Sequence, residues 1–329
     1  MIQNSIFDIQ TESDFEQKAL EVFRFQYNNC DLYQLYCTQL GKNENNVQQI
    51  GDIPFLPIDF FKTHKIIAKN KKEELFFTSS GTTGKQTSTH YVADTELYKK
   101  SLLKSFELFV GKPENFAILA LLPAYLEKKH SSLVYMMNCL IEKSPCKESG
   151  FYLHNTEQLL DNLQKLTQSS QPTILFGAAF GILDLIENQS IIKMPNLLIF
   201  ETGGMKGKHK EINRQLLHVK ITSLFGVQKV GSEYGMTELL SQAYSTGDGI
   251  FYTPPWMKIF IRNPKDPFEI LPAETAPRGG INVIDLANIY SCSFIATQDL
   301  GHLYPDNGFE VLGRFDYADI RGCNMLVES

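Results

Sequence analysis

The sequence predicts an α/β protein: a layered sheet covered by helices on its faces, followed by a β-rich segment. Three observations carry this. Short apolar runs alternate with helix-period stretches from residue 88 to residue 218, the pattern of strands joined by crossover helices. The runs at 116–122, 173–177 and 197–201 lack a polar face, as strands buried on both sides do. From residue 251 the chain breaks into short β-rich pieces punctuated by Pro264, Pro267, Pro272, Pro277 and Gly279-Gly280. A β-rich C-terminal subdomain is therefore expected, with a soft boundary near Tyr252 inside one unit spanning 1–329.

Residues 11–40 place Phe15, Ala19, Val22, Phe23 and Tyr27 at helical spacing with acids near the start, and a second helix is expected over 31–39. In Ile53-Pro54-Phe55-Leu56-Pro57, Pro57 suits the first turn of a short helix, and the apolar residues read as packing. Phe76-Phe77 reads as a strand end. Residues 88–92 form the next strand, and 94–110 an amphipathic helix capped by Asp94. The run 116–122 stops at Pro123, and Ser131 caps a helix reaching Glu142. A short strand at 151–153 precedes a helix over 156–167. The strand 173–177 leads to a helix at about 179–187, and the strand 197–201 leads to a helix over 209–218. The last strands are expected at 256–261, 269–271, 280–285, 293–297 and 309–312.

With 329 residues, 43% hydrophobic and 21% charged, the chain has the make-up of a soluble globular protein with a substantial core. A formal net charge of -6 argues against a nucleic-acid partner. No apolar run approaches the roughly 20 residues that span a bilayer, and the N-terminus lacks the basic-then-apolar pattern of a signal peptide. Cysteines 30, 37, 139, 146, 292 and 323 form no C-x-x-C pair. They read as reduced thiols of a cytoplasmic protein.

The chemistry-bearing stretch is Thr78-Ser79-Ser80-Gly81-Thr82-Thr83-Gly84-Lys85, with five hydroxyls, two glycines and one lysine in eight positions. Glycines let backbone N–H groups turn toward a ligand, hydroxyls add donors and lysine adds charge, a set suited to phosphate oxygens. Composition alone leaves a flexible hydroxyl-rich loop equally open. A P-loop NTPase is ruled out: Gln86 follows Lys85 where that motif needs Ser or Thr. A second cluster, Ser232-Glu233-Tyr234-Gly235-Met236-Thr237-Glu238, offers an aromatic face, a hydroxyl and a hard oxygen ligand for magnesium. Taken alone, it reads first as a helix start capped by Thr237 or Glu238. Asp299 and Arg314, taken singly, read as turn and surface residues.

Their order and spacing resemble the acyl-adenylate-forming superfamily, which includes acyl-CoA synthetases, nonribosomal adenylation domains and firefly luciferase. Residues 78–85 resemble its phosphate loop, Glu201-Thr202-Gly203-Gly204 its glycine pair near the adenine, and Tyr234-Gly235-Met236-Thr237-Glu238 its Y-G-x-T-E motif. Asp299 matches its ribose-binding aspartate, and Gly313-Arg314-Phe315-Asp316 the motif before its hinge. A finer resemblance is to acyl-protein synthetases of bacterial luminescence, the LuxE type, and to phenylacetate-CoA ligases. It rests on Ile53-Pro54-Phe55-Leu56-Pro57, Leu122-Pro123-Ala124-Tyr125-Leu126-Glu127, Ser131-Ser132-Leu133-Val134-Tyr135 and Asp319-Ile320-Arg321-Gly322-Cys323.

The resemblance implies the α/β/α body of the adenylate-forming N-terminal domain and an ATP- and Mg2+-dependent activation of a carboxylic acid. By resemblance the 78–85 loop holds the β- and γ-phosphates, Thr237 contacts the α-phosphate and Glu238 binds magnesium. Tyr234 lies along the adenine, Gly203 and Gly204 admit the base, and Asp299 and Arg314 hold the ribose. The acyl chain, fatty or aromatic, would meet Tyr125, Val134 and Phe180, residues that taken singly read as plain core. His130 would face the carboxylate, although within Lys128-Lys129-His130 it reads first as exposed surface. Two departures stand out. Gln86 replaces the usual proline, and the sequence ends at Ser329, before the small mobile domain whose lysine assists adenylation. That domain is expected to be absent, leaving its task to Lys85, Lys206 or Lys208, or leaving adenylation slow. In the luminescence synthetase a cysteine near the C-terminus takes the acyl group before a reductase does. Cys323, beside Arg321, stands in a comparable place; a buried structural thiol is the other reading. The remaining alternatives are transfer to CoA or a carrier protein, and a non-catalytic nucleotide- or partner-binding fold.

Overall fold

The computed structural model describes residues 2–80, 86–124, 126–187, 193–194, 196–203 and 214–315. The strands are β1 (Leu56–Pro57), β2 (Leu75–Thr78), β3 (Thr89–Val92), β4 (Ala117–Leu121), β5 (Gly150–Phe151), β6 (Thr173–Ala178) and β7 (Leu197–Thr202). They continue with β8 (Gly231–Tyr234), β9 (Ala243–Ser245), β10 (Met257–Arg262), β11 (Arg278–Asp285), β12 (Phe294–Leu303) and β13 (Phe309–Arg314). The helices are α1 (Ile2–Ser5), α2 (Glu12–Asn29), α3 (Asp31–Gln39), α4 (Phe60–Thr63), α5 (Thr95–Phe109), α6 (Ser132–Lys143), α7 (Thr156–Thr167), α8 (Ala179–Glu187) and α9 (Arg214–Phe225).

The central sheet runs in the order β5-β4-β6-β7-β8-β9. Its first five strands are mutually parallel, and β9 closes the edge antiparallel to β8. Alternate residues of β4 serve opposite faces. Ala117, Leu119 and Leu121 join a core with Leu159 and Leu163 of α7, Ile182 of α8 and Ile221 of α9. Ile118 and Ala120 join a second core with Leu102 of α5 and Met137 of α6. Helices therefore cover both faces, which explains the continuous apolar runs.

A second sheet contains β1, β12, β11 and β10 in order, with β13 also on β12. The long β12 is shared: Ile295 and Ala296 pair with β1, while residues from Asp299 to Leu303 pair with β13. The core on the α5–α6 side continues into this sheet through Val283, Ile284 and Phe294, and on to Phe23 and Tyr33 of α2 and α3. Tyr33 stacks on Phe294 at 5.8 Å. The bridges Tyr244↔Tyr252 and Phe251↔Phe309 join the two sheets at the expected boundary.

Several sequence expectations are corrected. Pro57 ends a strand on β12, and the short helix starts at Phe60, because the Leu56–Pro57 backbone finds its partners in Ile295 and Ala296. The helix expected over 209–218 runs from Arg214 to Phe225, its core contacts being Leu217, Ile221, Leu224 and Phe225; residues 209–213 lie outside the described residues. Residues 269–271 form only an isolated bridge, Arg262↔Ile270. The 293–297 strand extends to Leu303 because β13 supplies it with a further partner. No helix starts at Thr237 or Glu238; that stretch is a turn. Val134 is buried in α6, whereas Phe180 is partly exposed.

Candidate active site

The candidate site gathers where the carboxyl ends of β7 and β8 meet β12, β13 and the β2–β3 hairpin. Carboxyl ends of parallel strands are where open α/β sheets bind ligands. Tyr234 is the last residue of β8, and its ring is packed edge-on against Phe251 and Phe309. Its hydroxyl donates to Asp299 Oδ2 at 3.0 Å, across 65 residues of sequence. Register pairs Asp299 with Arg314 across β12 and β13, and Arg314 Nε donates to Asp299 Oδ1 at 3.0 Å. Asp299 is 7% exposed and Tyr234 8%, while the Arg314 side chain is 59% exposed. The carboxylate is therefore anchored from within, with a cation at its solvent edge. Burial and the nearby Asp299 charge hold the Tyr234 phenol well above its usual range.

The β2–β3 hairpin brings in the mouth of the hydroxyl-rich loop. Ser79 N–H donates to Ser88 O at 3.0 Å, and Ser88 N–H donates to Ser79 Oγ at 2.9 Å, so the two ends are pinned together. Thr78 N–H donates to His130 O at 2.8 Å on the other side. The His130 ring stacks on Phe76 at 4.1 Å, and Ser80 is exposed. Glu238 is 4% exposed. Burial pushes its carboxyl up, and a hydrogen bond with the Ser88 side chain opposes that shift. The structure thus unites Ser79, Ser88 and Glu238. Thr237 joins them through its carbonyl, 2.9 Å from His90 Nδ1.

At the end of β7, Gly203 has φ +75°, a left-handed conformation that favours glycine, with no described atom within 4 Å of where a Cβ would sit. Beneath it, Glu201 accepts from Arg214 Nε at 3.0 Å, and Thr202 Oγ1 donates to Glu233 Oε2. Burial pushes the Glu233 carboxyl up to about 7; the Thr202 hydrogen bond opposes this and the Glu201 charge adds to it. Glu233 lies close over Gly235, where a Cβ would approach its Oε1 to 2.4 Å. The buried Ser232 hydroxyl has no hydrogen-bond partner among the described residues.

Gly81, Thr82, Thr83, Gly84, Lys85, Tyr125, Gly204, Lys206, Lys208 and Cys323 lie outside the described residues. Of the expected residues, Ser79, Tyr234, Thr237, Glu238, Asp299 and Arg314 are connected by hydrogen bonds in two groups. The sequence reading missed Ser88, His90, Glu233 and Asn288. A histidine on an otherwise core-facing strand beside a phosphate loop was the one available signal, and its partners are distant in sequence.

Among solved structures, a 2-hydroxyisobutyryl-CoA ligase in complex with 2-HIB-AMP superposes with a TM-score of 0.70 at 12% identity, over 95% of this chain and 70% of that chain. ATP-bound MatB from Rhodopseudomonas palustris superposes with a TM-score of 0.54 at 18% identity, over 73% of this chain and 47% of that chain. Together with the site just described, these likenesses define the fold as that of adenylate-forming ligases. A stretch of 67 residues is 42% identical to the long-chain-fatty-acid–luciferin-component ligase of Photorhabdus luminescens, covering 20% of this chain and 57% of that protein. Residues 7–329 match the family described as acyl-protein synthetase, LuxE, and the chain belongs to that family.

Proposed function

We propose that this protein, acting as one adenylate-forming unit, activates a carboxylic acid with ATP as an acyl-adenylate and passes the acyl group to a thiol. The observation that carries the reading is Asp299, held by Tyr234 and Arg314 at 3.0 Å each. A buried carboxylate with spare acceptor capacity beside an exposed guanidinium suits a ribose diol.

Other features fit the same nucleotide. Among the described residues nothing crowds the Gly203 Cα, and Ser232 offers a buried hydroxyl without a partner. Among the described residues no three His, Cys, Asp or Glu side chains gather as a metal cage. Magnesium would be held by Glu238 together with phosphate oxygens, the usual arrangement for this ion. A divalent cation would also offset the burial that disfavours the Glu238 charge. When bound, the ion would neutralise charge on the phosphate oxygens.

In the first step an oxygen of the substrate carboxylate attacks the α-phosphorus and the bond to pyrophosphate breaks. The 78–85 loop, with Lys85, would hold the leaving pyrophosphate, and Thr237 would donate to the α-phosphate as charge builds there. In the second step a thiolate attacks the acyl carbon and AMP leaves. We favour a fatty acid, because the relative from Photorhabdus luminescens is named for one. The acceptor is taken to be Cys323 or a partner protein such as a reductase. The described cysteines are free thiols, and no described helix is long and apolar enough to cross a membrane; a cytoplasmic setting fits both.

Incubation with ATP, magnesium and a radiolabelled fatty acid tests the transfer. Acyl label on the protein, removed by hydroxylamine and lost in Cys323→Ser, is expected. Undiminished label in the variant removes that role from Cys323. Acyl-CoA formed on adding CoA, with no label on protein, assigns the acceptor to CoA instead.

A further inference from the structure

We infer that His90 is a positioning residue of the nucleotide site, the strut that fixes the Thr237-Glu238 turn against the hairpin carrying the phosphate loop. The inference rests on the nucleotide reading above and extends it to a residue outside every motif that led there. His90 sits in β3 opposite Phe77 of β2, two residues beyond Ser88. It is fully buried. Nδ1 lies 2.9 Å from the Thr237 carbonyl, and Nε2 lies 2.9 Å from Asn288 Oδ1. The orientation of the Asn288 amide is fixed independently: its Nδ2 donates to Glu238 O at 2.7 Å and to Cys292 O at 2.9 Å. Flipping that amide would set its oxygen against two carbonyls. Both His90 ring nitrogens face oxygens, and burial lowers the His90 pKa to about 4, so the neutral ring donates one hydrogen. With Nδ1–H on the Thr237 carbonyl and Asn288 Nδ2 on the Glu238 carbonyl, two successive carbonyls are held, and Nε2 lies against Asn288 Oδ1 without donating.

The strut has a firm footing. Gln26 of α2 donates to the Asn288 and Ile289 carbonyls at 3.0 and 2.9 Å, and accepts from Ser293 N–H at 3.0 Å. Phe61 closes the site edge-on against the imidazole at 5.6 Å. A purely apolar side chain would fill this space without the cost of burying ring nitrogens. What the imidazole adds is a polar tie to the backbone of the residues expected to meet the α-phosphate and the magnesium ion. With those peptide planes held, the Glu238 carboxyl stays against Ser88 at the mouth of the loop.

Equilibrium dialysis with radiolabelled MgATP tests this without requiring turnover. His90→Phe is expected to weaken MgATP binding about tenfold, and His90→Gln, which keeps one donor, to fall between it and the wild type. Phe61→Leu, a packing change at the same ring, is expected to lower Tm while leaving MgATP affinity within about twofold. Wild-type affinity in both His90 variants overturns the inference and leaves the nucleotide reading standing. So does an equal loss of affinity in Phe61→Leu, which would make His90 ordinary packing. A wild-type protein that binds no MgATP overturns both readings. If His90→Phe does not fold, the comparison of His90→Gln with Phe61→Leu decides the matter.

Discussion

Asp299 takes one donor from a buried phenol and one from an exposed guanidinium, each at 3.0 Å. Truncating it would leave the Tyr234 hydroxyl without its partner and, on the proposed function, the ribose without its acceptor. Charge-assisted hydrogen bonds are each worth roughly 1.5–3 kcal/mol, so Asp299→Ala is expected to cut ATP–pyrophosphate exchange about a hundredfold. Steady-state kinetics should show much of that loss in the KM for ATP. Glu233 gives a prediction of a different kind. Its folded pKa, about 7, is raised above the ordinary carboxyl value of 4.5 by burial. The folded state therefore binds the proton more tightly than the unfolded state, and this contribution to stability is fully present below about pH 4.5 and lost as pH rises to about 7. Calorimetry should show Glu233→Gln flattening the decline of Tm across that window relative to the wild type. Tyr234, Thr237 and Glu238 were legible as a closely spaced cluster, whereas Asp299 and Arg314, turn and surface residues when taken singly, were legible only through the order of the motifs in the family resemblance. His90 and Glu233 were not, because their roles come from packing. His90 meets partners 147 and 198 residues away, and Glu233 titrates high because the fold buries it.

Elements show the same division between local and distant causes. The helix expected over 156–167 forms there, capped by Asn155, since its apolar spacing and cap are both local. Asp94 likewise caps α5, its side chain accepting from Leu97 N–H at 2.9 Å. Asp94→Ala is expected to cost about 1 kcal/mol of stability in urea unfolding and to leave MgATP affinity unchanged, the cap lying outside the proposed nucleotide contacts. Pro57 misled because strand pairing with β12 outweighs its preference for a helical first turn. The length of β12 was hidden for a related reason: β1 supports its first half and β13 its second, and only β13 is near in sequence. That division sets Asp299 where β13 begins its pairing, opposite Arg314.

At the scale of the whole molecule, one core runs from Ile6 and α2 through the α5–α6 face of the central sheet into the second sheet. The candidate site residues lie where these layers meet, so the proposed nucleotide contacts would come from β8, β12, β13 and the β2–β3 hairpin together. The layered α/β architecture was legible because parallel strands buried on both faces leave unbroken apolar runs. The junction was not, since it depends on how the β1–β12–β11–β10 sheet packs against the first. The account's central claim is that this junction forms an acyl-adenylate. ATP–pyrophosphate exchange over a panel of fatty and aromatic acids tests it most directly. The account predicts exchange that requires both magnesium and a fatty acid, and that collapses in Asp299→Ala. Measurable MgATP binding with no exchange for any acid would contradict it.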